Sequence, residues 1–189
     1  SFPTRRSSDL VDTACRKLLG PVAEGLAETP AVVAIGFEPE AGQADFDRLT
    51  AADNVPDTAL PEVDEDDLAV IVYTSGTTGM PKGPTISHAN LLFNIRNTVI
   101  PHSFRHEDAH MLVVPLFHCT GLNTIVTTSA FLGSTVVIAP RAEPAELLEL
   151  VARHRVTTFL GVPTLFHLIS LNKRLAEYDV SSLRLIAYS

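Results

Sequence analysis

Tyr73-Thr74-Ser75-Gly76-Thr77-Thr78-Gly79-Met80-Pro81-Lys82-Gly83 is the stretch on which the reading of this chain turns. Five apolar residues, Leu68 to Val72, precede it, so a buried strand is expected to deliver the chain to a loop of small and hydroxyl-bearing residues. Gly76 and Gly79 allow sharp turns that aim backbone N–H groups at an anion. Thr74, Ser75, Thr77 and Thr78 add hydroxyl donors, and Lys82 adds a positive charge. Such a loop is suited to polyphosphate.

Spacing separates this loop from two other phosphate-binding patterns. In a P-loop, Gly-Lys-Ser/Thr follows the first glycine after four intervening residues, but here that register falls on Pro81, and Lys82 is followed by Gly83. The dinucleotide pattern fails as well, because no glycine stands two residues before Gly76. The string as a whole resembles the phosphate loop of the adenylate-forming (AMP-binding) superfamily, which contains acyl-CoA synthetases, luciferases and the adenylation domains of peptide synthetases.

A second stretch, Pro115-Leu116-Phe117-His118-Cys119-Thr120-Gly121, is similar to the Pro-x-Phe-His-x-x-Gly segment of acyl-CoA synthetases. The resemblance assigns nucleotide binding to Thr74, Ser75, Gly76, Thr77, Thr78, Gly79 and Lys82, a magnesium contact to Thr74, and a substrate-contacting or gating role to His118. Ser87-His88-Ala89-Asn90-Leu91 looks more like these ligases than like peptide-synthetase domains, and residues 158–164 resemble the strand and turn before the family's adenine-binding motif. Pro84 departs from the family, where a small or branched apolar residue follows the loop.

The activity implied is that of an acid-thiol ligase: ATP and a fatty or related carboxylic acid give an acyl-adenylate and pyrophosphate, and coenzyme A then captures the acyl group, with Mg2+ assisting. The family continues into a Gly-rich turn, an aromatic-Gly-x-Thr-Glu segment, a ribose-binding aspartate and a small domain with a catalytic lysine, none of which is in this sequence. The chain is therefore expected to be a fragment, inactive alone and without a complete catalytic set. The alternatives are a peptide-synthetase adenylation domain and a non-catalytic nucleotide-binding remnant.

Composition agrees with a globular chain: 189 residues, 46% hydrophobic, net charge −8. Without a Lys/Arg cluster longer than a pair, nucleic acid and an anionic membrane surface are poor partners. Residues 111–140 contain no Asp, Glu, Lys or Arg, but Pro115, Gly121, Asn123 and Gly133 interrupt them, so they read as core and not as a membrane span. Cys15 and Cys119 have no metal or redox spacing, which points to a reduced, cytoplasmic setting. The run Asp64-Glu65-Asp66-Asp67 reads as a solvated approach to the strand.

Along the chain, residues 1–10 are set aside as non-native or disordered, 11–67 form an upstream segment and acidic linker, and 68–189 the core of the AMP-binding domain, truncated at its C-terminus. A short helix is expected at 11–20 and a strand at 31–37. Then come strands at 68–72, 85–87, 111–114, 135–139, 157–162 and 182–188, alternating with helices that start at Ser87, Gly121, Glu143 and Pro163. In the first of these helices, ended by Pro101, Leu91, Leu92, Ile95 and Val99 face inward and Asn94, Arg96 and Asn97 outward. Repeated strand–helix alternation predicts an α/β fold, a mostly parallel sheet with covering helices, with the organising loop at a strand end of that sheet. His102, His106 and His110 are spaced four apart, but Pro101 and a strand starting at Met111 leave no helix to align them as metal ligands.

Overall fold

A computed structural model describes residues 8–12, 16–18, 31–51, 62–74 and 81–188. The chain divides into two compact units, Ser1–Pro61 and Glu62–Ser189. In the first, β1 (Ser8–Asp12) lies parallel to β2 (Ala31–Ile35), which also pairs with β3 (Ala44–Asp45) ahead of the short helix α1 (Phe46–Leu49). Val11 and Asp12, expected in a helix, are thus in a strand, and so are Ser8–Leu10, which composition had placed outside the fold. Main-chain pairing with the β-branched run of β2 overrides a weak helical pattern.

In the second unit, β4 (Leu68–Ile71) and β5 (Thr85–Ser87) form a two-stranded antiparallel sheet, bulged between Leu68 and Val70. Two expectations are corrected here. The β4–β5 pair is separate from the parallel sheet, so the loop between them does not spring from a strand end of that sheet. Nor is β4 buried: Leu68 and Ile71 are exposed, because among the described residues β4 has one strand partner and no layer closes over those two side chains.

Ser87 ends β5 and starts α2 (His88–His102). Its hydroxyl accepts from Asn90 N–H while Asn90 Oδ1 accepts from Ser87 N–H, a reciprocal cap that satisfies two otherwise orphaned donors. Pro101 lies inside the last turn instead of ending the helix; Ser103, left-handed at φ 50°, closes it. Asn94 does not face away as expected, since its Nδ2 donates to Asn123 O at 3.0 Å.

The core is a parallel sheet in the order β7 (Thr135–Ile138), β6 (Ala109–Leu112), β8 (Thr158–Gly161), β9 (Leu185–Tyr188). Successive strand residues point to opposite faces. Met111, Val137 and Phe159 pack on one side with Leu147 and Val151 of α4 (Pro144–His154) and Leu165 of α5 (Pro163–Ser170). Leu112 and Leu160 pack on the other with Phe104 and Ile125. Ile125 belongs to a π-helical stretch, Thr120–Val126, that continues as α3 (Thr127–Leu132) to Gly133 at φ 67°. The expected α/β architecture with a parallel, helix-covered sheet is therefore present.

β6 begins at Ala109, before Met111, and this carries His110 into the core. There His110 Nδ1 meets Thr158 Oγ1 at 2.6 Å and Nε2 meets Ser134 Oγ at 3.1 Å, with Phe104 edge-on to the ring. At the same amino end of the sheet, Asp108 accepts from Thr157 Oγ1, Arg105 N–H and the guanidinium of Arg184. Arg184 also donates to Ser103 O, joining the start of β9 to the end of α2.

Candidate functional site

Thr74 and Lys82 face each other across an antiparallel bridge: Thr74 N–H donates to Lys82 O at 2.9 Å and Lys82 N–H to Thr74 O at 3.1 Å. The pair forms a hydrogen-bonded neck at the base of the loop. Gly83 packs closely just beyond it: a Cβ there would come within 2.9 Å of Ile71 Cγ2 and 3.2 Å of the Tyr73 ring, so those exposed side chains would have to shift. Ser75, Gly76, Thr77, Thr78 and Gly79 lie outside the described residues. Among the predicted nucleotide contacts, Thr74 and Lys82 are thus brought together at the neck, both exposed to solvent.

The second predicted segment is shaped by a single close approach. A Cβ at Gly121 would lie 2.4 Å from Pro115 O and 2.9 Å from Val114 O, so only glycine lets the first π-helical turn fold back against the chain leaving β6. Residues 116–118 are left projecting, with Phe117 88% exposed. His118 Nδ1 accepts from Thr120 N–H at 3.2 Å, which leaves Nε2 to carry the proton.

Two cavities meet at this segment. One, of about 500 Å³, opens at the carboxyl ends of β6, β8 and β9 and is walled by Val114, Phe117, His118, Thr120, Thr124, Gly161 and Tyr188, among others. The carboxyl edge is where open parallel sheets receive ligands. The other, of about 410 Å³, lies between β4 with Tyr73 and the π-helical stretch, and Asn123 is among its lining residues. Phe117 and His118 border both. A third cavity, of about 460 Å³, lies between the sheet and α4 and α5 and is almost wholly apolar.

Electrostatics divide the sheet into a fixed end and an open end. Burial alone would raise the Asp108 carboxyl, but hydrogen bonds from Arg184, Thr157 and Arg105 N–H and the Arg184 charge hold it down at about 2. Burial pushes His110 below its ordinary value, so it is a neutral core histidine. Both stand at the amino end of the strands, away from the cavities at the carboxyl end. Among the described residues no cluster of His, Cys, Asp or Glu could hold a metal ion, and the three evenly spaced histidines go to a helix end, a turn and the core.

The AMP-binding enzyme family matches residues 10–189. The chain belongs to that family. Among AMP-binding enzymes it is 36% identical over 160 residues to a feruloyl-CoA synthase of Amycolatopsis sp, covering 84% of this chain and 31% of that enzyme. It is 35% identical over 128 residues to a long-chain-fatty-acid–CoA ligase of Bacillus subtilis (strain 168), covering 66% of this chain and 23% of the ligase. Its fold matches the ATP-bound structure of MatB from Rhodopseudomonas palustris with a TM-score of 0.74 at 27% identity, over 96% of this chain and 35% of MatB. The chain thus matches between about a quarter and a third of the length of these AMP-binding relatives.

Sequence reasoning singled out His118 but passed over Asn123, which has a buried Oδ1 with no hydrogen-bond partner among the described residues. The available signal was an amide in a stretch otherwise without charge, inside an expected helix that proved π-helical, a geometry often found at functional sites. No described helix is long and apolar enough to cross a membrane.

Proposed function

We propose that this chain is the nucleotide- and acyl-binding part of an ATP-dependent carboxylate–CoA ligase, with residues 68–189 as the core of its AMP-binding domain and 11–67 as an upstream segment. The observation that carries this reading is the position of His118 on the shared wall of the two cavities, one of which runs along β4 to Tyr73, next to the Thr74–Lys82 neck. An acid seated at the sheet's carboxyl edge has its carboxylate directed past His118 toward phosphates held by the loop.

In this scheme the carboxylate oxygen attacks the α-phosphorus of ATP in line with the departing pyrophosphate. Lys82, with the hydroxyls and N–H groups of the loop, stabilises charge building on the β- and γ-phosphates. Thr74 Oγ1, exposed beside the neck, is a hard oxygen ligand that fits Mg2+ brought in with the triphosphate, where most ligands come from phosphate and water. That ion would draw charge from the phosphate oxygens. The acyl group then passes to the thiol of coenzyme A. The support for a CoA acceptor is that two of the relatives named above are a feruloyl-CoA synthase and a long-chain-fatty-acid–CoA ligase; the acid is taken as fatty or related, and the setting as cytoplasmic.

The test is made in the full-length protein that contains this sequence. Lys82→Ala and Thr78→Ala should each slow carboxylate-dependent pyrophosphate release by about 10²–10³-fold, the usual loss for a donor to developing charge. An unchanged rate would refute the assignment. The isolated 189-residue chain should release no pyrophosphate above background with a panel of carboxylic acids.

A further inference from the structure

The cavity of about 500 Å³ at the carboxyl edge of the sheet is lined by two histidines, His118 and His102. His102 is the last residue of α2, and its carbonyl and that of Ser103 accept from Arg184, just ahead of β9. Its main chain therefore stands toward the amino end of the strands, away from the edge where His118 projects. The His102 side chain leans back one turn, as helix side chains do, and Nδ1 donates to Thr98 O at 2.9 Å. Phe104 packs against the ring, with centroids 5.2 Å apart. A carbonyl can only accept, so the neutral ring holds its proton on Nδ1 and leaves Nε2 as an acceptor. Nε2 has no hydrogen-bond partner among the described residues and is not one of their buried, unpaired atoms, so it is open to a ligand. His118 has the reverse polarity, since its Nδ1 accepts and its Nε2 carries the proton. The rest of the wall is two-sided: Leu160, Val162 and Ala187 come from the sheet side, Thr120 and Thr124 from the π-helical stretch.

We propose that His102 is a specificity-determining residue of the acid pocket. Its Nε2 accepts a hydrogen bond from a hydroxyl that the acid carries remote from its carboxylate, so hydroxylated acids are selected over unsubstituted ones. This rests on the assignment of the cavity to the acid under the function proposed above. An unsubstituted acid covers Nε2 and leaves that acceptor without a partner, which is unfavourable. Thr98 O and Phe104 hold the ring before the acid arrives, so little freedom is lost in making the bond. The hydroxyl can stand on an aryl ring or at the end of an alkyl chain, because both present the same donor.

The test uses the full-length protein and two matched pairs: 3-(4-hydroxyphenyl)propanoic against 3-phenylpropanoic acid, and 8-hydroxyoctanoic against octanoic acid. Dissociation constants come from equilibrium dialysis, which needs no turnover. In the wild type, the hydroxylated member of at least one pair should bind about tenfold more tightly, the value of one hydrogen bond, and the pair that responds tells aryl from alkyl. His102→Phe keeps a ring against Phe104 but removes the acceptor, and should bring that ratio to one or below. A wild-type ratio of one or below in both pairs, binding of none of the acids, or a preference kept in His102→Phe overturns the proposal. The wild-type ratio needs no variant, so it decides even if His102→Phe folds poorly. Pyrophosphate release measured alongside separates the two readings. The expected ratio without release upholds His102 and removes the ligase, whereas release with a ratio of one does the reverse.

Discussion

The carboxylate of Asp108 and the guanidinium of Arg184, 76 residues apart in sequence, meet side-on at the amino end of the parallel sheet, and the carboxylate is only 4% exposed. Asp108 precedes β6 and Arg184 precedes β9, while Thr157, which donates to Asp108 Oδ1 at 2.7 Å, precedes β8. One carboxylate therefore gathers the starts of three strands. Arg184→Met would leave it buried without its cation, at a cost of about 3 kcal/mol. A urea midpoint in Arg184→Met within error of wild type would remove this role.

Acid should act in two steps, both of the same sign. Folded His110 holds its proton more weakly than the ordinary 6.5, so the unfolded chain binds more protons below that value, and stability falls as pH drops beneath it. Asp108, at about 2 against 3.8, contributes about 2 kcal/mol that is complete above 3.8 and lost as pH falls toward 2. Urea midpoints at pH 7.5, 6, 5 and 4 measure the first step. His110→Asn should lower stability at every pH and flatten the slope between 6.5 and 5.

Gly121→Ala should cost about 1–3 kcal/mol, since the added methyl must displace backbone at Pro115 and Val114 and not a flexible side chain. Because the same contact sets the projection of Phe117 and His118, on the proposed function the variant should also lose acid binding in the full-length protein at temperatures where it stays folded. Differential scanning calorimetry and substrate titration separate the two effects.

Ser87→Ala should destabilise by about 1 kcal/mol, because Asn90 N–H loses its acceptor at the start of α2. Ser87→Asp keeps an acceptor there and should recover most of the loss in the same unfolding measurement.

On the ligase function proposed above, His118→Ala in the full-length protein should raise KM for the acid about tenfold, roughly the value of one hydrogen bond, and leave KM for ATP within twofold. The reverse pattern would place His118 on the nucleotide.

Much of the second unit was legible in the sequence. Pro144 in the first turn and the stripe Leu147, Leu148 and Val151 define α4, and Ser87 marks the junction of β5 and α2 with its own side chain. The exposure of β4 was not legible, because an apolar run states a preference for burial and says nothing of which layer provides it. Nor was the Asp108–Arg184 pair, since two charges so far apart look like any other surface charges until the strands are in register. His110 escaped for a related reason: its burial depends on hydroxyls from Thr158 and Ser134 that no local pattern links to it. At the candidate site, a long specific string and a motif around His118 were enough to nominate residues, whereas Asn123 emerges only from a missing hydrogen bond in a folded structure.

The strand order also governs how the molecule assembles in time. The β4–β5 pair brings Leu68 to Ser87, a short loop closure that a nascent chain can complete early. The central strand β6 cannot: its neighbours on both sides come later in the chain, and the cation for Asp108 comes only with β9. During synthesis at about 5–20 residues per second, the apolar faces of β6 wait several seconds for β8 and β9. Over that interval Met111 and Leu112 are exposed to other nascent chains, so the yield of folded protein should depend on chaperone supply more steeply than the stability of the finished sheet suggests.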